Sequence, residues 1–226
     1  MLRRTIETVT NFACWVKRKR VIKSEKGVVK VNLGSGLSVA PGWINVDASL
    51  NVFFAKYPKP ILKMLYKMSG FNQWYSQEEY CNTLENSIFI HHDIKYGIPF
   101  PDESIDYIYS SHLLEHLYRK NAKELLEEAR RKLRKGGVIR TCVPNLEYVV
   151  NLYQHGDKER AVERFFAYFS SLHDHRYIYD FDLLRQLLEE AGFSDIKRCS
   201  YAQGRTSDIE NLDNRPEETL YVEACK

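Results

Sequence analysis

The chain has 226 residues, 44% of them apolar and 13% aromatic, with 33 basic and 30 acidic side chains for a net charge of +3. That length and composition can bury a full core, while the near-neutral balance argues against a dedicated nucleic-acid binder. The five cysteines, Cys14, Cys81, Cys142, Cys199 and Cys225, form no CxxC pair, which argues against a zinc ribbon or a disulfide framework and fits a reducing, cytoplasmic setting.

Residues 1–26 read as a leader. Leu2, Ile6, Val9, Phe12, Ala13 and Val16 recur at helical spacing and run into Lys17-Arg18-Lys19-Arg20. One reading is a helix packed on the domain; the other is an interfacial helix in peripheral contact with anionic membrane lipid or RNA. The leader lacks an unbroken apolar core before a cleavage site, so no signal peptide is expected. No stretch has the ~20 apolar residues of a transmembrane helix.

Residues 27–226 alternate strand and helix signals. Val28 to Leu33 reads as a strand entering Gly34-Ser35-Gly36, and a second strand from Trp43 ends on Asp47. Only about nine residues separate the two strands, too few for an ordinary helical crossover, so a loop is expected there. Residues 51–87 are an insertion rich in aromatic side chains, with helices expected near 60–68 and 76–85. It reads equally as a crossover packed on its own aromatics or as a recognition cap over the carboxyl ends of the strands. Further strands are expected at 87–94, 105–111, 138–143, 195–202 and 219–225. A long helix is expected over about 112–135, stopped by Gly136-Gly137, with others at 145–154, at 157–171 and from Asp180 to Ala191. The pattern predicts an α/β fold: a three-layer Rossmann-like sandwich around a mostly parallel seven-stranded sheet. The first crossover is truncated, and the last two strands, joined by a polar loop, form an antiparallel edge hairpin.

Six pieces in this order carry a resemblance: Val31-Asn32-Leu33-Gly34-Ser35-Gly36, Gly42-Trp43-Ile44-Asn45-Val46-Asp47, His92-Asp93-Ile94, Ile98-Pro99-Phe100-Pro101-Asp102-Glu103-Ser104-Ile105-Asp106, His112-Leu113-Leu114-Glu115-His116-Leu117 and Leu133-Arg134-Lys135-Gly136-Gly137-Val138. The chain resembles a class I S-adenosylmethionine-dependent methyltransferase, of the small bacterial and archaeal methyltransferase-11-like group. The resemblance implies S-adenosylmethionine as cofactor. Gly34, Ser35 and Gly36 would admit its methionine part, Asp47 would accept from the ribose hydroxyls, Asp93 and the Ile94 N–H would meet the adenine, and Ser110 and Ser111 would face the ammonium. The family's broader glycine motif has a third glycine where this chain has Ser38. Relatives with this motif set imply a glycan, lipid-linked or other small acceptor, methylated on oxygen or nitrogen. An RNA methyltransferase and a catalytically silent cofactor-binding module stay open as alternatives. A nicotinamide oxidoreductase is disfavoured, because no G-x-G-x-x-G is present.

Three histidines are candidates for proton transfer. His112 follows the fourth strand and could take a proton from an attacking hydroxyl or amine. His173 and His175 lie in a polar segment before Asp180, beside Arg176, which could hold an anionic group. His112-Leu113-Leu114-Glu115-His116 matches an inverted zinc-peptidase pattern, yet its place at a strand-to-helix turn favours packing or hydrogen bonding, and no metal is expected.

Overall fold

The computed structural model describes residues 2–23, 27–169 and 175–226. In it all seven expected strands join one sheet of order β3-β2-β1-β4-β5-β7-β6. The strands are β1 (Lys30–Leu33), β2 (Ile44–Asp47), β3 (Ile88–His91), β4 (Ile105–Ser111), β5 (Leu133–Pro144), β6 (Ser194–Cys199) and β7 (Thr219–Cys225). The helices are α1 (Leu2–Lys17), α2 (Leu50–Phe53), α3 (Lys59–Ser69), α4 (Gln77–Asn86), α5 (Arg119–Lys132), α6 (Leu146–Gln154), α7 (Lys158–Phe169), α8 (Phe181–Glu190) and α9 (Ile209–Leu212). Strands β1 to β5 run parallel, and β7 is antiparallel to both β5 and β6.

The two faces of the sheet differ in chemistry because side chains alternate along each strand. One face presents Val31, Leu33, Val46, Ile108, Ile139 and Val222 to Leu125 and Leu126 of α5 and Leu184, Leu187 and Leu188 of α8. This is the aliphatic core. The other face is built from Asn32, Asn45, Tyr109, Arg140, Cys142, Tyr221 and Glu223, all buried.

The polar face follows from the short first crossover. Residues 34–43 join two parallel neighbours without a helix. The Asn32 amide holds this loop, donating to the Ser38 carbonyl at 2.8 Å and to Asn45 Oδ1 at 3.1 Å. The sheet face that a crossover helix would cover is covered instead by the connection between β6 and β7. Asp208 accepts from Trp43 Nε1 at 3.0 Å and pairs with Lys30 Nζ at 2.7 Å. Leu212 joins Ala40, Trp43, Tyr109, Cys142 and Tyr221 in one cluster.

Arg140 locks this connection. Its Nε and Nη2 donate to the two oxygens of Asp213 at 3.0 and 2.6 Å, and Nη1 reaches Glu223 at 3.2 Å. The carbonyls of Gln203 and Ser200 take the remaining N–H groups at 3.1 and 3.0 Å. Arg140 and Glu223 are direct cross-strand partners, so the pair is built into the register.

Three expectations are corrected. The helix expected from 112 is broken: a 3₁₀ turn, Leu114–His116, precedes α5, and His112 sits at φ 50°, a left-handed backbone that cannot start a helix. His112 and His116 therefore do not share a helix face. The last two strands are joined through the short helix α9 rather than a plain loop. The fifth strand starts earlier, at Leu133, because Gly136 takes φ 77° and bends the chain into the sheet without ending the pairing.

The insertion builds its own small core. Leu62 and Leu65 of α3 pack with Tyr80, Cys81 and Leu84 of α4, and Leu37 from the first crossover joins them. Ser76 and Glu79 form a capping box that starts α4. Helix α1 buries Cys14, whose Sγ lies 3.5 Å from His91 Nε2, while Phe12, Trp15 and Val16 stay exposed. Among the described residues no helix is long and apolar enough to cross a membrane.

Candidate active site

A cleft of about 490 Å³ opens at the carboxyl ends of β1 and β4. Its floor is the turn after β1, where Gly34 and Gly36 take φ 66° and 50°, a conformation that glycine adopts without penalty. A Cβ on Gly34 would stand 2.9 Å from Leu113 Cδ1, so a larger residue there would have to push that side chain aside as well as hold the left-handed backbone. Asp47, at the end of β2, braces the turn: Oδ2 accepts from Gly36 N at 2.9 Å and Oδ1 from Ser49 N at 2.7 Å. Each carboxylate oxygen keeps a lone pair for a further donor.

Ser111 and His112 form the β4 side of the cleft. The Ser111 hydroxyl is buried and has no partner among the described residues. Ser110 has the same unpartnered hydroxyl, but strand alternation turns it to the opposite face, beside Leu33 and Thr141 in the register. Of the two, only Ser111 lines the cleft.

His112 is held at both ring nitrogens. Nδ1 lies 3.1 Å from Glu115 Oε1, Nε2 lies 3.4 Å from Thr219 Oγ1, and its backbone N–H donates to the Cys142 carbonyl at 2.9 Å. Glu115 is fully buried. Placed as the acceptor of an Nδ1–H, its carboxylate makes Nε2 an acceptor, which the Thr219 hydroxyl meets at 3.4 Å and which an incoming hydroxyl or amine would have to take over to complete the base-plus-orienter arrangement of proton-transfer sites. The sequence pattern leaves Glu115 as a packing or hydrogen-bonding residue, and its contact with His112 is of the second kind.

The rim is aromatic on one side and polar on the other. Phe71, Trp74 and Tyr75 come from the insertion, between α3 and α4, and Asn214 and Arg215 come from the connection that Arg140 locks. Trp74 is 70% exposed. Nothing local in the sequence marks Asn214 or Arg215, which reach the cleft only through the packing of residues 200–213 on the polar face.

Asp93 and Ile94 line a second cleft of about 390 Å³, with Lys95, Gly97, Leu117 and Asn121 among its walls. Asp93 caps the 3₁₀ turn Ile94–Tyr96, accepting from Lys95 N at 3.0 Å and pairing with Lys95 Nζ at 2.6 Å. Of the expected cofactor residues, Gly34, Ser35, Gly36 and Ser111 line the first cleft and Asp93 and Ile94 the second, while Asp47 and Ser110 line neither. His175 lies next to Glu115 and His116 rather than in the main cleft. His173 falls outside the described residues.

Residues 55–141 match the family model described as a methyltransferase domain, a segment that starts after the glycine turn and Asp47. No curated protein matches the sequence. Solved structures match over nearly the whole chain. An S-adenosylmethionine-dependent methyltransferase from Archaeoglobus fulgidus is 18% identical with TM-score 0.50, over 98% of this chain and 94% of that one. One from Thermotoga maritima is 15% identical with TM-score 0.50, over 99% and 94%. A Haloferax volcanii structure, a methyltransferase in complex with the Trm112 methyltransferase activator, is 16% identical with TM-score 0.51, over 98% and 92%. Residues 55–141 are thus similar to a methyltransferase domain, the whole chain has the fold of these S-adenosylmethionine-dependent methyltransferases, and the cofactor that this likeness implies is S-adenosylmethionine.

Proposed function

We propose that the protein methylates an oxygen or nitrogen of a sugar-type acceptor that carries an anionic group. The observation that supports this most is the composition of the rim, which sets Trp74, Phe71 and Tyr75 against Arg215 and Asn214 across the cleft. Aromatic faces stack on the C–H faces of a sugar ring, and a guanidinium pairs with a phosphate or carboxylate. The exposed Phe12 and Trp15 beside Lys17-Arg18-Lys19-Arg20 agree with an acceptor held at an anionic lipid surface.

The residues present fit the methionine and ribose end of the cofactor. The turn at 34–36 gives backbone access, Asp47 keeps acceptor capacity, and the unpartnered Ser111 hydroxyl offers an oxygen to a cation. We assign Asp93 and Ile94 to the adenine edge, where each Asp93 oxygen, met by one donor from Lys95, keeps a lone pair for an amino group. When bound, the cofactor supplies an electrophilic methyl on sulfonium sulfur. His112 Nε2 takes the proton of the attacking hydroxyl or amine, with Glu115 holding the ring. Alignment of the two reactants supplies the rest of the rate.

Release of S-adenosylhomocysteine from a panel of acceptors tests the reading. Sugar phosphates and uronic-acid glycans are expected to turn over. Turnover confined to RNA or to uncharged amines, or none with a cell-extract acceptor pool, overturns it. Trp74→Ala is expected to raise the acceptor KM about tenfold, the equivalent of ~1.4 kcal/mol of lost stacking, with kcat largely kept. An unchanged KM removes Trp74 from the acceptor site.

A further inference from the structure

The turn after His112 brings Glu115 together with two histidines that methyl transfer does not use. Glu115, His116 and His175 each bring one ligand atom to a common point, and the three atoms lie within 4.8 Å of one another. The His116 and His175 rings meet at 4.8 Å between centroids and at 76°. Edge-to-face ring contact accounts for the histidines but not for the acid between them. Glu115 is fully buried; His112 engages Oε1, and Oε2 has no partner among the described residues. A buried carboxylate oxygen without a donor or cation is costly. The backbone fixes the juxtaposition, since Arg176 N and Tyr177 N both donate to the Glu115 carbonyl, at 2.6 and 3.2 Å.

We propose that Glu115, His116 and His175 form a binding site for one divalent transition-metal ion of the zinc class. Two imidazoles select such an ion over magnesium or calcium, which favour oxygen ligands. Ligand atoms on one tetrahedral zinc stand about 3.3 Å apart, from metal–ligand bonds of about 2.0–2.1 Å. The set closes from its present spacing by rotation of His116, which is exposed, and His175, which is half-buried, onto a fixed Glu115. Three protein ligands leave the fourth position to water. The ion satisfies Oε2 and ties the segment at 175–177 to the turn at 114–116. Because Oε1 of the same carboxylate holds His112, the ion also fixes the orientation of the imidazole that lines the cleft. The site depends on no assumption about the acceptor.

The test uses the full chain stripped with a chelator and titrated with Co²⁺ and with Zn²⁺. One equivalent of Co²⁺ is expected, with visible d–d bands and no thiolate charge-transfer band. Zinc is expected to raise the thermal midpoint. His175→Ala should lose both responses while unfolding, metal-free, near the wild-type midpoint; should that variant not fold, His116→Ala, at an exposed position, gives the same reading. Absence of saturable binding overturns the site. A thiolate band, which places the ion on cysteine, overturns it too, as does one-equivalent binding that survives both substitutions.

Discussion

Asp213→Ala is expected to destabilise the protein by about 3–5 kcal/mol, because it leaves the Arg140 guanidinium buried without its main counter-charge. Arg140 and Asp213 are both fully shielded and joined by two hydrogen bonds. The same carboxylate accepts from Ala202 N at 2.9 Å, so the substitution orphans donors on β5 and in the connection, whereas the Tyr109 hydroxyl, 3.2 Å from it, keeps the Leu212 carbonyl at 3.0 Å. For a chain of this size the thermal midpoint should fall by about 6–20 °C. Denaturant melts of the two proteins measure the difference; a loss under about 1 kcal/mol, typical of an exposed ion pair, would contradict the role given to the network. Acid should weaken it as well. Burial pushes the Glu223 carboxyl up, but the backbone N–H groups of Arg205 and Thr206, with the charge of Arg140, more than offset this and leave it below its ordinary value. A carboxylate lowered on folding contributes stability above its unfolded pKa, about 4.3 for Glu. That contribution is lost as the pH falls below this value towards the lowered native one.

The second large effect belongs to His112. His112→Asn is expected to lower kcat by about 10²–10⁴, the usual worth of a positioned proton acceptor, with cofactor affinity kept. Asparagine is the suitable replacement because the position lies at φ 50°, a region that Asn, Asp and His enter more readily than other side chains. Glu115→Gln tests positioning separately: kcat should fall while both KM values hold, since Glu115 touches His112 and not the cleft. If His112→Asn keeps full turnover, alignment alone carries the reaction and His112 is a wall of the cleft.

Both effects arise where local sequence signals end. The glycine turn, Asp47 and the short first crossover were readable because each rests on neighbouring residues: glycines with positive φ, an acid closing a strand, a gap too short for a helix. The seven strands and their mostly parallel arrangement followed from the alternation of strand and helix signals. The polar face was not readable. Arg140 sits among Val138, Ile139, Thr141 and Val143, and its partners lie 73 and 83 residues away. An arginine in β5 set against a glutamate in β7 was the one available hint, and only the antiparallel register makes them neighbours. Asn214 and Arg215 were hidden for the same reason, as they inherit their place from Asp213. The continuous helix expected from 112 failed on one residue, since the left-handed His112 converts a helical pattern into a turn and brings Glu115 under the imidazole. The serine pair failed on strand geometry, which can point only one of two adjacent residues into a cleft.

Calorimetric titration of the wild-type chain and Asp47→Ala with S-adenosylmethionine tests the central claim most directly. Saturable binding is expected for the wild type. For the variant the affinity should be lower by about tenfold to a hundredfold, the worth of hydrogen bonds to a charged acceptor. A folded wild-type protein that takes up no cofactor at millimolar concentration would contradict the account, and equal affinities in the two proteins would remove Asp47 from the site.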